Sequence, residues 1–504
     1  MSKTIRYLLI ITQKIISRLL HSLKFSNLHS LRSLQLKNYR ANLEVNFLLL
    51  SSFLLIALTA VLGFQVQQSD FTELIAAYFP FFFIYLFIFY KSKDWKTVQF
   101  FLVVSILLRF LLVFAFPSLS DDIYRFVWDG RLLLNGVNPF DQLPSAYIGG
   151  AERIIGLDEV LYQELNSPDY FTIYPPVCQA IFAGACWLFP TSLVGTAMVM
   201  KFVFLLFEVG SIVLMVKLLR HFGLPEKNAL IYALNPLIIL ELVGNLHFEA
   251  AMVFFLLLAI WCLVKLRWQW SAVAMALSIA SKLLPLLFLP FLIRRLGWRK
   301  SFWYFTIVGA VVLLLFAPLL NGVFLSHFGD SLNLYFQKFE FNASLYYVLR
   351  WMGYQWAGYN IIQYLGPILA LCSALGIFGL AFFEKEKWTT NKLSAQPSFA
   401  VAHREEAPFG LQIISIDGLA TLFLFAISWY LFLTTTVHPW YLSLPLALCV
   451  FGGFRYAVLW SGLVIFTYVN YSFGEYYEVL WVVGLEYVLV VGFLFYELRK
   501  WIRM

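Results

Sequence analysis

The stretch from Ser120 to Phe140 holds the charged side chains best spaced for chemistry. Its charged residues are Asp121, Asp122, Arg125, Asp129 and Arg131. Paired carboxylates can act as a general base, bind a divalent cation, or simply be solvated. Spacings of three and four place Asp122, Arg125 and Asp129 on one face of a helix. The pattern predicts an amphipathic helix flat on the membrane, ended by Gly136–Phe140, with its acids directed into a cleft.

Lys282 is a second candidate, because it lies inside the strongly apolar run Ala280–Pro290. Holding a charge near the bilayer interior costs about 3 kcal/mol or more on insertion scales. No carboxylate is adjacent in sequence, so a substrate phosphate is the expected compensating partner. The alternatives are an internal ion pair, with Glu249 or Glu208, and a structural lysine that extends to the membrane surface.

Two histidines lie beside predicted helix breaks. His247 and Glu249 flank one break, where they either pair with each other or contact substrate. His438 precedes Pro439 at a helix end, where it is either a structural histidine or a donor to substrate.

The composition defines the class of protein that must position these residues. Of 504 residues, 61% are hydrophobic and only 13% are charged, whereas soluble proteins average about a quarter charged residues. Because roughly 20 apolar residues span a bilayer as a helix, the apolar runs predict about fourteen helices. The predicted fold is all-α: a polytopic transmembrane helix bundle with a long outer loop that carries amphipathic interfacial helices.

The distribution of charge orients the bundle and divides the chain. Residues 1–43 include basic residues and no acidic residue, which predicts a cytoplasmic or interfacial segment. Within it, Ile5–Leu23 is predicted to be either a surface helix or a transit peptide. Residues 44–383 are predicted to be the transmembrane catalytic module, with outer loops at 118–172 and 321–358. A cytoplasmic linker at 384–410 and C-terminal transmembrane helices at 411–504 follow.

One part of this topology conflicts with the charge rule. The basic loops at 91–96, 218–227 and 265–268 should share the cytoplasmic side, yet counting helices puts the last two outside. A short re-entrant helix after Tyr174, together with a break near Lys282 and Pro285, would resolve the conflict, because such breaks are tolerated where they line a protein cavity.

An ordered set of short motifs resembles a known superfamily. The motifs are Asp122, DGR at Asp129–Arg131, NGVNPF, IYPPVCQA at Ile173–Ala180, LNPL, GNLHFEA, ASKLLPLLFLP and TTTVHPWYL. Together they resemble the GT-C integral-membrane glycosyltransferases, and most of all the polyprenol-phosphate-mannose-dependent mannosyltransferases and their bacterial relatives. The likeness covers most of Ser118 to Leu446.

The resemblance implies site residues. It implies that Asp122 is the general base on the acceptor hydroxyl, with Asp121 as its neighbour, in an inverting transfer from a lipid-phosphate sugar. The departing phosphate needs cations or N–H donors. The predicted substrate-binding residues are Arg125, Asp129, Arg131, Tyr174, His247, Glu249, Lys282, His438 and Tyr441. Instead of binding substrate, Arg131 could form an ion pair with Asp129 or Asp122.

The expected partners follow from the same resemblance. They are a lipid-linked sugar donor, a hydroxyl acceptor on a glycan, lipid or protein, and membrane lipids, with no nucleic acid. No cofactor is indicated with certainty, and Mg²⁺ or Mn²⁺ is left open. A bacterial inner membrane with a periplasmic active site is expected, and an endoplasmic reticulum membrane is the alternative.

Two other functional classes compete with an enzyme. A transporter or flippase of lipid-linked sugars should show paired repeats and broken helices that meet at the midplane, whereas here the acids concentrate in one outer loop. A structural scaffold does not account for Lys282. Convergence of Asp122, Lys282 and His438 on one cavity that opens sideways to lipid would favour the enzyme.

Overall fold

A computed structural model describes residues 31–148, 154–383 and 416–503. Within these ranges the protein is helical, with one isolated bridge between Phe341 and Thr436. Residues 31–53 lie in one compact unit and residues 54–503 in a second, which contains every site discussed below. The predicted surface helix at Ile5–Leu23 and the linker at 384–410 lie outside the described residues.

Nineteen α-helices are present in the described ranges. The first ten are α1 (Leu31–Phe64), α2 (Phe71–Lys91), α3 (Trp95–Leu112), α4 (Asp122–Leu134), α5 (Glu159–Gln163), α6 (Pro176–Leu188), α7 (Leu193–His221), α8 (Ala229–Ala233), α9 (Pro236–Ile238) and α10 (Glu249–Val264). The others are α11 (Trp268–Ser281), α12 (Leu289–Phe316), α13 (Phe324–Gln337), α14 (Leu345–Ala357), α15 (Ile362–Phe382), α16 (Ile416–Leu433), α17 (Ser443–Cys449), α18 (Tyr456–Leu463) and α19 (Leu480–Arg503).

The predicted polytopic helix bundle is confirmed. In the described ranges, seven helical segments are long and apolar enough to span a bilayer, and a bent pair of helices at 226–244 makes an eighth. Other apolar segments form shorter helices, among them α6 and α10. The number of spanning helices is therefore smaller than the number of apolar runs, because several runs end at breaks before they reach full length.

Two breaks interrupt the bundle beside the candidate residues. Glu226–Ala233 and Pro236–Gly244 are bent by 53° relative to each other, since a residue that precedes a proline is disfavoured in the helical conformation. The second break lies at Lys282, whose backbone is extended (φ −161°, ψ 139°) between the end of α11 and a 3₁₀ turn that begins at Leu284. The predicted break near Lys282 and Pro285 is therefore present.

The three basic loops lie at one end of the bundle. The Arg220 guanidinium lies 4.4 Å from the centre of the Trp95 ring, and Lys265 Nζ lies 4.6 Å from that of Trp261, which also contacts His221. The conflict with the charge rule disappears because α6, with 13 residues, is too short to cross a bilayer. It packs along α4, and the 29-residue α7 then carries the chain to the basic end.

Candidate active site

Asp122 begins α4 at the opposite end of α3 from the basic loops. Its side chain is partly exposed, and its Oδ1 accepts a hydrogen bond from Asn166 Nδ2 at 2.8 Å. No other hydrogen bond to this carboxylate is found in the described part of the chain, so acceptor positions remain for a substrate hydroxyl. Asn166 orients the carboxylate, and sequence reasoning did not identify it.

Asp121 precedes Asp122 at the N-terminus of α4, where it makes no side-chain capping bond. Partial removal from solvent and the negative charges of Asp122 and Glu164 raise the pKa of Asp121. The two adjacent carboxylates therefore differ in environment. Asp122 is the one held by a hydrogen bond, and Asp121 is the one that resists ionisation.

Arg125 and Asp129 form a buried ion pair further along α4. Arg125 Nε lies 2.9 Å from Asp129 Oδ1, and its Nη1 donates to the carbonyl oxygens of Ser167 and Tyr170 at 2.9 Å. Asp129 Oδ2 also accepts hydrogen bonds from Thr172 Oγ1 at 2.5 Å and from the Gln179 side chain at 2.9 Å. The pair thus ties α4 to the outer loop and to α6.

Arg131 also lies apart from the site. Its Nη1 donates to the carbonyl oxygen of Gly156 at 2.5 Å. The predicted pairing with Asp129 or Asp122 is wrong, because Asp129 is already paired with Arg125 one turn earlier in the helix.

Lys282 and Glu249 form an ion pair between α11 and α10. The Glu249 side chain is 1% exposed and that of Lys282 is 27% exposed. The expectation that substrate phosphate alone compensates Lys282 is therefore wrong, and Glu249 is its internal partner. Glu208, the other acid considered, pairs with Arg109 at 3.0 Å. An ammonium has three donors, so Lys282 keeps donor capacity on its exposed side.

His247 faces a carboxylate that the sequence analysis did not identify. Its Nε2 lies 3.2 Å from Glu241 Oε2, and the Tyr468 hydroxyl donates to Glu241 Oε1 at 2.8 Å. The predicted pairing of His247 with Glu249 is wrong. Glu241 could have been found as an acid inside an apolar run, which usually marks a functional position.

The backbone around His247 is irregular. Ile239–Gly244 is a π-helix, and Leu246 has a φ of +66°. π-Helices and left-handed non-glycine residues are frequent at functional sites. Glu241, His247 and Glu249 all lie on this short irregular segment. Their side chains therefore point in directions that a regular helix would not give them.

Four rings form a ring stack, which consists of His247, Trp440, His438 and Phe341. His247 and Trp440 have centroids 3.7 Å apart at 15°, and Trp440 and His438 are 4.4 Å apart at 3°. Phe341 covers the other side of His438 at 4.6 Å. The stack thus fixes the imidazole of His438, and its Nδ1 is left buried without a hydrogen-bond partner among the described residues.

Tyr441 lies where the candidate residues meet. Lys282 Nζ lies 4.5 Å from the centre of its ring, and His438 packs on it at 5.4 Å. Asp122 and Glu249 both lie close enough to Tyr441 to interact with it electrostatically. His438 in turn interacts electrostatically with Lys282 and His247. Lys282 and His438 thus both pack on Tyr441, and Asp122 lies within electrostatic range of it.

Tyr174 lies in an aromatic cluster beside this site. Its ring packs edge-on against Phe126 of α4 at 4.9 Å, and against Phe182 of α6 at 5.5 Å. Phe248, between His247 and Glu249 in sequence, contacts the same cluster. Tyr174 therefore joins α4 to the irregular segment that carries His247.

The site does not offer a preformed metal-binding set. Among the described residues, no three His, Cys, Asp or Glu side chains are grouped so that they could hold a metal ion. Glu249 is paired with Lys282, and Asp129 with Arg125. No step proposed below depends on a metal.

The fold and the site define a multi-pass membrane protein with a carboxylate, a lysine and a histidine around one tyrosine. Residues 82–297 match the family model described as alpha-(1->6)-mannopyranosyltransferase, N-terminal domain. The predicted resemblance to GT-C mannosyltransferases is confirmed over this range, and the match supports a membrane glycosyltransferase. Comparisons with curated proteins and with solved structures found no match.

The matched range contains Asp122, Glu249 and Lys282. His438 and Tyr441 lie beyond it, and only the structure shows that Tyr441 lies beside Lys282 and that His438 packs on Tyr441. The family match favours the enzyme over the transporter and the scaffold.

Proposed function

We propose that the protein transfers a mannose-like hexose from a polyprenyl-phosphate donor to a hydroxyl acceptor with inversion, and that Asp122 is the general base. The observation that carries this proposal is that the Lys282 ammonium lies 4.5 Å from the centre of the Tyr441 ring, while the Asp122 carboxylate interacts electrostatically with the same tyrosine. A base and a cation near one side chain suit a displacement at an anomeric carbon.

In the proposed reaction, Asp122 accepts the proton of the acceptor hydroxyl as the oxygen attacks the anomeric carbon. The bond from that carbon to the phosphate oxygen breaks on the opposite face, and its electron pair leaves with the lipid phosphate. A positioned general base typically contributes roughly 10²–10⁴-fold to the rate. The acid form of Asp122 then gives its proton to solvent.

Lys282 is proposed to stabilise the departing phosphate. Its Nζ is held by Glu249 and lies over Tyr441, which fixes the ammonium without covering all of it. His438 is a second candidate donor, because Nδ1 has no partner in the described ranges. Preorganised donors are effective here, since they need no reorientation as charge develops.

Turnover by the purified protein tests the proposal. The donors are polyprenyl-phosphate mannose, glucose and galactose, each with a panel of glycoside acceptors, and the anomeric configuration of the product is read by NMR. We expect mannose transfer with inversion, and a loss of roughly two or more orders of magnitude in Asp122→Asn.

Asp169→Asn is the matched control, because Asp169 is an exposed carboxylate of the same outer loop. It should retain wild-type turnover. Use of a soluble nucleotide sugar without any lipid carrier would overturn the proposed donor. Near-normal turnover in Asp122→Asn would overturn the proposed base.

A further inference from the structure

Asn342, in the second outer loop between α13 and α14, is held in a left-handed conformation. Its φ is +45°, and the residue is fully buried. This backbone conformation costs free energy in a non-glycine residue, and it persists only where contacts with the surrounding structure hold it. Three polar side chains make these contacts with Asn342.

These three side chains form the Asn342 cage, which consists of Glu478, Glu486 and Tyr487. Glu478 accepts a hydrogen bond from the Asn342 backbone N–H at 2.6 Å, and Glu486 accepts one from Asn342 Nδ2 at 3.1 Å. The Tyr487 hydroxyl donates to the Asn342 carbonyl oxygen at 2.7 Å. Both main-chain groups and the side-chain Nδ2 of Asn342 are therefore bound.

Glu486 has no part in the proposed chemistry, yet it is buried in α19. It is 2% exposed, and it accepts a second hydrogen bond from Trp460 Nε1 at 2.6 Å. Burial of an acid is unfavourable unless hydrogen bonds compensate it. The hydrogen bonds of Glu478, Glu486 and Tyr487 to Asn342 hold this residue in one conformation.

The residue next to Asn342 covers the candidate site. The Phe341 N–H donates to the Thr435 carbonyl oxygen at 3.1 Å, and the Val437 N–H donates to the Phe341 carbonyl oxygen at 2.8 Å. This short pairing ends directly before His438, and the Phe341 ring lies on the His438 ring. The conformation of Asn342 therefore decides whether the ring stack is closed on that side.

We propose that Asn342 is a positioning residue: its cage fixes Phe341 over His438 and thereby fixes the orientation of the imidazole toward the substrate. The inference rests on the proposed function for its kinetic consequence. Its structural consequence can be tested on the protein without substrate.

Labelling of His438 in the full-length protein tests the structural part. Diethyl pyrocarbonate acylates accessible neutral imidazoles, and mass spectrometry of peptides follows each histidine separately. We expect Asn342→Ala and Glu486→Leu each to speed the labelling of His438 about five-fold or more, which corresponds to the loss of one hydrogen bond. The labelling rate of His221, at the basic end, should not change and serves as the reference. The double variant should show about the effect of one single variant, because both substitutions remove the same bond.

Ser344→Ala is the matched control, because Ser344 Oγ donates to the Phe432 carbonyl oxygen at 2.7 Å from the same loop and is outside the cage. It should leave His438 protected. Glu486→Gln keeps an acceptor for Asn342 and should also preserve protection, which keeps the test valid if Glu486→Leu folds poorly. An increase in Ser344→Ala equal to that in Asn342→Ala, or no increase in any cage variant, would overturn the proposal.

Kinetics separate this proposal from the proposed function. In Asn342→Ala we expect kcat to fall about tenfold while the donor KM changes less than about twofold, because a misplaced imidazole loses most where phosphate charge develops. If the wild-type protein transfers no sugar, the proposed function fails and the labelling result still decides the role of Asn342. If transfer occurs and both labelling and kcat are unchanged in the cage variants, the positioning role alone fails.

Discussion

Lys282, at the end of α11, forms an ion pair with Glu249, in the first turn of α10, and its Nζ lies 4.5 Å from the centre of the Tyr441 ring. One side of the ammonium thus contacts a buried carboxylate, and the other side is the one that we assign to the substrate. Mutations can separate the ion pair with Glu249 from the proposed role of Lys282 in catalysis.

Lys282→Met should lower stability, because it leaves Glu249 buried without a cation. Removing one partner of a buried pair typically costs about 3–5 kcal/mol. The double variant Lys282→Met/Glu249→Gln should recover most of this loss without recovering turnover. Thermal unfolding in detergent and turnover, measured side by side, check both statements. Lys265→Met, at the basic end, is the control, and recovery of turnover in the double variant would contradict the phosphate role of Lys282.

Asp121→Asn should move the acidic limb of the pH profile of kcat/KM to lower pH. The raised pKa of Asp121 means that its negative charge is unfavourable beside Asp122 and Glu164. Its contribution to stability is therefore fully present at low pH and is lost as pH rises through the raised pKa. Removing this group lowers the negative charge around the proposed base, and the expected shift is up to about one pH unit. An unchanged acidic limb would show that Asp121 does not act on the essential base.

Asp129→Asn should destabilise the protein without changing the affinity of the folded molecules for donor. It leaves the buried Arg125 without its carboxylate, and a loss of about 3–5 kcal/mol is expected. The measurement is thermal unfolding together with donor binding to the folded fraction. A weaker donor affinity with normal stability would return Asp129 to the substrate-binding residues.

The topology can be tested with single cysteines in a background that lacks the native five. Cysteines at Lys93, Arg220 and Lys265 should react with an impermeant thiol reagent from one side of the membrane. A cysteine at Asp169 should react from the other side, because α3 separates the basic loops from the Asp122 end. Labelling of Arg220 and Lys93 positions from opposite sides would contradict the shared basic end.

Local patterns in the sequence determined the class of protein and part of the site. Composition predicted a multi-pass helical protein, and the spacing of charges predicted the helix that the structure places at Asp122–Leu134. The spacing also put Arg125 and Asp129 on one helix face, and the structure shows that they pair with each other. Proline placed the break after Ser281, where α11 ends.

Only the tertiary structure decided which charges are partners and what surrounds His438. Glu249 meets Lys282 because α10 and α11 pack against each other, and Glu241 meets His247 because a π-helix turns the backbone between them. Phe341 reaches His438 from a loop that is far away in sequence. Backbone preferences and periodicity act within a few residues, whereas these contacts depend on how helices pack and on where they break. The sequence therefore predicted a multi-pass helical protein, and helix packing decided which charged residues are partners.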